Sequence, residues 1–306
     1  MKTKIRARSG FTFVEVLLSL ILGGVLSVAV VEAAATVVRL ETRMANRSLA
    51  LERGWNVLSV LEPRALHAAL GLTASYRDGD SPLPGRWAHG PLYIWRDALF
   101  PADEDGDGVF RGRGLSVLYS IPSGLRADLH AIKEIENNLY ISLLGDASQL
   151  DDRLPVNTAS DIRSWTVFPL SGRPVSISNH SVAAGHSSSW LTIRLTGVQP
   201  PIQLYPYDEL HYLRAARFFA ENAGLYAETF TTAWKSQGEM LEGVLEMWFE
   251  WTPSKRRLEV WILTTGGESS VKNSRPSEWP ASAPWKADFE RQDMAVTFGS
   301  WILKNL

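Results

Sequence analysis

Ser9-Gly10-Phe11-Thr12-Phe13-Val14-Glu15 opens an apolar stretch that runs to Val31. Lys2, Lys4, Arg6 and Arg8 precede it, with no acidic residue among them. A short basic leader, a small residue at a junction and then about twenty apolar residues is the layout of a membrane-inserted N-terminus. Phe11 to Val31 is 21 residues, and a helix needs about 20 to cross a bilayer core. Glu15 breaks the apolar pattern. A carboxylate that deep costs roughly 2.5–3.5 kcal/mol on insertion scales, so Glu15 is a functional candidate by default.

Gly10 followed by Phe11-Thr12-Phe13-Val14-Glu15-Val16-Leu17-Leu18-Ser19-Leu20 resembles the N-terminus of type IV prepilins and type II secretion pseudopilins. The resemblance covers about the first 50 residues and rests on the combination of basic leader, Gly, Phe, Glu and apolar run. It implies that a membrane peptidase removes residues 1–10 after Gly10 and methylates the new amine on Phe11. It also implies that Glu15, five places into the mature chain, serves subunit assembly. An ordinary signal anchor shares the basic flank and apolar helix, but it has no need of Gly-Phe at the junction or of the acid. A cleaved secretory signal fits less well: the apolar run exceeds its usual 7–15-residue core, and Val28-Ala29-Val30-Val31-Glu32 is a poor small-x-small site.

The chain has 306 residues and a formal charge of −2. Without the leader, 296 residues would remain at −6, because the leader carries four positive charges and no negative one. About 240 residues would follow a helix of roughly 50, enough for one large or two small domains with a core. Twelve Trp and eleven Phe supply large apolar faces. Mean hydropathy is near zero, so only the N-terminal end reads as greasy. A mildly acidic body argues against a dedicated nucleic-acid binder. No cysteine is present, which excludes thiol nucleophiles, Cys-ligated zinc and iron–sulfur sites.

The helical pattern continues past the apolar run. Glu32 to Glu62 contains no proline, and Val37, Leu40, Met44, Leu51, Trp55 and Leu58 recur at three-, four- and seven-residue steps. That stripe is expected to pack on the body. Pro63 is expected to end or kink the helix, and residues 64–70 read as a short helix stopped by Gly71. Gly23-Gly24 is either a soft point or a place of close helix contact. Short strands are predicted at 115–121, 139–144, 162–170, 175–178 and 190–195. Residues 210–219 and 225–234 are open between strand and helix. The clearest hairpin is Leu245–Trp251, a turn at 252–257, and Leu258–Ile262. Leu245, Met247, Phe249 and Trp251 should share one face, with Glu246 and Glu250 on the other. Residues 266–285 read as a loop and 294–298 as a last strand. The expected class is α+β: a long N-terminal helix at 11–62, membrane-spanning in its first half, on an antiparallel β-sheet body at 63–306.

Three constellations bear on chemistry. After cleavage the Phe11 amine would be cationic, and Glu15 would be its counter-charge across subunits, since each charge is costly alone in hydrocarbon and tolerable in a pair. Asp103, Asp105 and Asp107 alternate and lead to Gly108, like the first half of an EF-hand loop. Calcium is the cation that they suggest, although Gly114 stands where the bidentate Glu would be and Arg111 and Arg113 intrude. The six His are scattered, none in a metal pair, and no nucleophile elbow or phosphate loop is present. The Trp residues around 248–261 read as core. No convergent set of titratable groups marks an enzyme.

The resemblance therefore implies a structural subunit. It would be a minor pilin or pseudopilin, most like the PilW type, in the tip or initiating complex of a pilus or pseudopilus. Its partners would be other minor and major pilins or pseudopilins, the prepilin peptidase, an inner-membrane assembly platform and the lipid bilayer, with the body on the extracytoplasmic side. An adhesin or DNA-uptake module at a tip is the alternative.

Overall fold

The computed structural model describes residues 12–72, 83, 87, 90–95, 106–135, 138–146, 150, 154, 162–171, 173–182, 188–194, 205, 207–221, 224–230 and 236–306. Helix α1 runs Phe13–Leu66, 54 residues without a break, or about 81 Å at 1.5 Å per residue. It passes through Pro63 into its last turn. Pro63 therefore does not end the helix, and residues 67–71 form turns, with Gly71 at φ +76° and Ala69 at +61°.

Thirteen strands follow among the described residues. They are β1 (Leu92–Trp95), β2 (Phe110–Gly112), β3 (Gly114–Ile135), β4 (Asn138–Leu144), β5 (Trp165–Phe168), β6 (Arg173–Val182) and β7 (Ser188–Arg194). The rest are β8 (Glu209–Glu221), β9 (Gly224–Phe230), β10 (Ser236–Glu242), β11 (Val244–Thr252), β12 (Arg257–Glu268) and β13 (Gln292–Ile302). All pairings among the described residues are antiparallel, so the class is α+β with antiparallel sheets. Of the two open segments, 210–219 is strand in β8 and 225–230 is strand in β9, while 231–234 lie outside the described residues.

The larger sheet has the order β1-β3-β4-β7-β6-β5-β8-β9-β10, and β3 also pairs with β8. That extra pairing closes β3, β4, β7, β6, β5 and β8 into a ring. The 22-residue β3 makes it possible: residues 114–122 pair with β8, and 126–135 pair with β4. Leu125, Ala127, Ile141, Leu143, Phe168, Val175, Ile177, Leu210 and Tyr212 form one buried cluster inside it. A closed sheet removes the exposed edges that an open one would leave.

The smaller sheet has the order β13-β12-β11-β2. Met247, Phe249, Leu258, Val260 and Ile262 on one face join Val57, Leu58, Leu61 and Ala65 of α1 and residues of β3, β8 and β9 in the main core. The other face is not solvated. Trp248 and Leu263 are buried there beneath Trp279, Ala283 and Phe289 of the 269–291 segment. A register shift between Val244 and Glu246 sets Val244 in the main core and turns Leu245 to the opposite side. The predicted four-residue apolar face thus loses Leu245. Glu246 is not on a wet face: it is 1% exposed.

Helix and strand run side by side in step. Asn46 Nδ2 donates to Asp293 Oδ2 at 3.0 Å, and Thr264 Oγ1 donates both to Ala50 O and, at 3.4 Å, to Ala295 O. Gly54 faces Thr297, and Leu58 faces Gly299. Trp301 Nε1 donates to Glu62 Oε1 at 3.0 Å, and Asn305 Nδ2 to Leu66 O at 3.2 Å. Four helical residues advance about 6 Å and two strand residues about 6.6–6.8 Å, which is why the ladder keeps register over the four steps from Asn46 and Asp293 to Glu62 and Trp301.

The contact stripe is therefore Ala50, Gly54, Val57, Leu58, Leu61 and Ala65. Of the predicted stripe only Leu58 packs; Val37, Leu40, Met44, Leu51 and Trp55 are exposed. Small residues win the inner face because the helix lies very close to β12 and β13. Trp55→Ala is expected to change unfolding free energy by under about 0.5 kcal/mol, whereas Leu61→Ala should cost about 2–5 kcal/mol. Denaturant titration of the two variants checks this, and equal losses would contradict the assignment.

Candidate functional site

The first half of α1 stands clear of the body. No residue of α1 before Ala50 is buried, and Arg43, donating to Asn273 Oδ1 at 2.6 Å, is the first helical side chain bonded to the body among the described residues. The apolar stretch from Phe13 to Val31 is 19 residues, or about 28 Å of helix against a hydrocarbon core of about 30 Å. Among the described residues it is the one helix long and apolar enough to cross a membrane.

The side-chain hydroxyls on this part of the helix are satisfied within it. Ser19, Ser27, Thr36 and Thr42 each donate their hydroxyl to the carbonyl four residues back, at 2.8, 2.8, 2.8 and 2.9 Å. A hydroxyl that bonds its own backbone needs no water, which suits a helix in lipid. Gly23 and Gly24 lie inside the continuous helix, and beyond the adjoining helix backbone no atom lies within 4 Å of where a Cβ would sit.

Glu15 and Thr12 form a capping box at the start of α1. Thr12 N and Thr12 Oγ1 both donate to Glu15 Oε2, at 2.8 and 2.9 Å, and Glu15 N donates to Thr12 Oγ1 at 3.4 Å. The positive end of the helix dipole favours the carboxylate there. Both bonds onto the carboxylate fall on Oε2, and an ionised carboxylate has about four acceptor sites. The cap therefore leaves Glu15 able to receive a further donor. The Thr-x-x-Glu signal was visible in the sequence, and only its acid was singled out. Gly10 and Phe11 lie outside the described residues.

Asp103 and Asp105 also lie outside the described residues. Asp107 is described, and its carboxylate is engaged by Arg111 at 2.7 and 3.2 Å and by Val109 N at 2.9 Å. The Arg111 guanidinium holds Asp107 below the usual carboxylate range. Among the described residues no cluster of three or more His, Asp and Glu side chains could hold a metal ion.

Two charged groups inside the body escaped the sequence reading. Glu246 receives a two-pronged bond from Arg113, Nε to Oε1 at 3.0 Å and Nη2 to Oε2 at 2.6 Å, with Lys286 Nζ at 3.5 Å. Asp208 accepts from Leu170 N and Ser171 N at 3.3 and 3.2 Å and fixes that turn beside β8. Burial pushes Asp208 up and His211 down from their ordinary values. Ser120 Oγ lies 3.0 Å from His211 Nδ1 and donates to Leu70 O at 3.0 Å. It is 4% exposed, which fits a strut between the turn after α1 and β3 better than a nucleophile. Comparisons with protein-family models, curated proteins and solved structures find no match.

Proposed function

We propose that the chain is a minor pilin or pseudopilin, held in a membrane by α1 and assembled with related subunits into the tip or initiating complex of a pilus or pseudopilus. In this reading a prepilin peptidase removes residues 1–10 and methylates the Phe11 amine. Glu15 then accepts that amine from a neighbouring subunit and sets the axial register of the stacked helices. The body sits on the extracytoplasmic side of an inner membrane. The observation that carries the reading is the 19-residue apolar rod clear of the body, with one carboxylate at its capped start. A rod whose own hydroxyls are internally bonded is suited to lipid and to other helices, and its lone acid is suited to a lone cation.

Affinity capture of the full chain from detergent-solubilised native membranes tests the proposal. Subunits that begin at a methylated Phe and carry Glu as their fifth residue should co-purify. Recovery of the chain without any such subunit would contradict the reading.

A further inference from the structure

Among the described residues the edge of β13 is open, and the flank of α1 above it is apolar. Leu303 N donates to Arg256 O at 2.8 Å, which places residue 303 among those bonded inward to β12. The alternation of an antiparallel ladder then turns the N–H and C=O groups of Met294, Val296, Phe298, Ser300 and Ile302 outward. Gln292 belongs to the same series, and its carbonyl is taken by Asn273 Nδ2 at 2.8 Å. Among the described residues no strand pairs with β13 beyond that point, since it is the last strand of its sheet.

Exposed edges are normally blunted with charge, proline or a covering segment. Between Asp293 and Lys304 the chain has no charged residue and no proline. Phe298 is 46% exposed and Ile302 63%. Above the same edge runs the face of α1 that carries Leu51, Trp55, Leu58 and Glu62, spaced i, i+4, i+7 and i+11. The bond from Trp301 to Glu62 and the contact of Leu58 with Gly299 place that face on the β13 side. Arg53, which bonds Thr265 O and touches Gly243, marks the opposite flank. Leu51 is 40% exposed and Trp55 61%. A seat results: a row of main-chain donors and acceptors, roofed by Leu51 and Trp55 and flanked by Phe298 and Ile302.

We propose that this seat takes an extended, uncharged segment of another polypeptide, added as a fifth strand beside Met294–Ile302. Main-chain bonds would supply affinity, and apolar side chains on both faces would supply fit. The occupant is not a second copy joined by its own β13. Antiparallel pairing of two identical edges points their α1 helices in opposite directions, because α1 and β13 run in step, and two anchors so placed cannot enter one membrane from one side. That exclusion rests on the membrane-anchored reading. The seat itself does not, so its test is independent of processing and filament assembly.

The probe is a fluorescein-labelled peptide, Lys-Val-Thr-Val-Thr-Val-Thr-Val-Lys, titrated by anisotropy into the full chain in detergent micelles. Saturable binding is expected. Ser300→Pro, which removes an outward N–H at an exposed edge position, should weaken it at least tenfold. N-methylation of the peptide's central amides should do the same. If Ser300→Pro lacks the wild-type cooperative unfolding transition, the double variant Phe298→Lys, Ile302→Lys takes its place with the same expectation. No binding, or binding indifferent to the edge substitutions and to N-methylation, would overturn the proposal. So would disulfide-linked dimers of a Phe298→Cys variant, readable because the chain has no other cysteine; they would assign the edge to a second copy.

Discussion

Glu15→Ala is expected to reduce co-assembly with partner subunits by more than tenfold while leaving the body's unfolding transition where it was. The two effects separate because Glu15 lies 28 positions before Arg43, where α1 first bonds the body. Removing the carboxylate makes the rod more apolar, so insertion is not impaired. What goes is the counter-charge for a cationic amine in a medium where an unpaired charge is costly, and a loss of about 1.4 kcal/mol already corresponds to tenfold. Alanine also removes half of the capping box with Thr12. Glu15→Gln separates the two causes: its amide oxygen can still accept from Thr12 N, but it carries no charge. Loss of assembly in both variants assigns the effect to charge. Recovery in Glu15→Gln would assign it to the cap, and full assembly by Glu15→Ala would refute the pairing.

Gly266→Ala is expected to destabilise the body by more than about 3 kcal/mol, at or beyond the upper end of the usual range for overpacking. A Cβ there would lie 1.8 Å from Asn46 O, 2.5 Å from Asn46 C and 2.7 Å from Asn46 Cα. Those are backbone atoms of α1 and cannot swing aside. Relief requires the helix to lift from β12, which would pull on the Asn46 bond to Asp293 and on the Thr264 bond to Ala50. Gly54→Ala meets Thr297 Oγ1 at 2.0 Å, which a rotamer change relieves, and Thr297 Cβ at 2.8 Å, which needs only a small backbone shift, so about 1–3 kcal/mol is expected. Denaturant titration should rank Gly266→Ala as the more damaging. A reversed rank, or a neutral Gly266→Ala, would contradict the close helix–sheet approach.

The same close approach explains what could be read in the sequence and what could not. Long helix, antiparallel strands and α+β class follow from period and punctuation, and the Leu245–Ile262 hairpin is present. The contact stripe of the helix is not marked by its large apolar residues, because small ones make the contact. Ala50, Gly54 and Ala65 form the contact because the strand backbone lies against them, while Leu51 and Trp55 roof the open edge of β13. Glu246 alternates like a solvent-facing residue, but the 269–291 segment folds over that sheet face, and Arg113 arrives from 133 residues away. Neither is local information. Ring closure depends likewise on β3 dividing its length between β8 and β4. The start of the rod was legible down to Glu15. Thr12, its capping partner, was legible too through the Thr-x-x-Glu spacing.

The central claim is that the rod beginning near Phe11 is a processed membrane anchor whose acid meets a newly made amine. Intact and N-terminal mass spectrometry of the protein purified from native membranes tests it most directly. The predicted product begins at Phe11 with a methylated amine and is lighter than the full chain by the ten residues Met1–Gly10. A product that still carries Met1 to Ser9 would contradict the account.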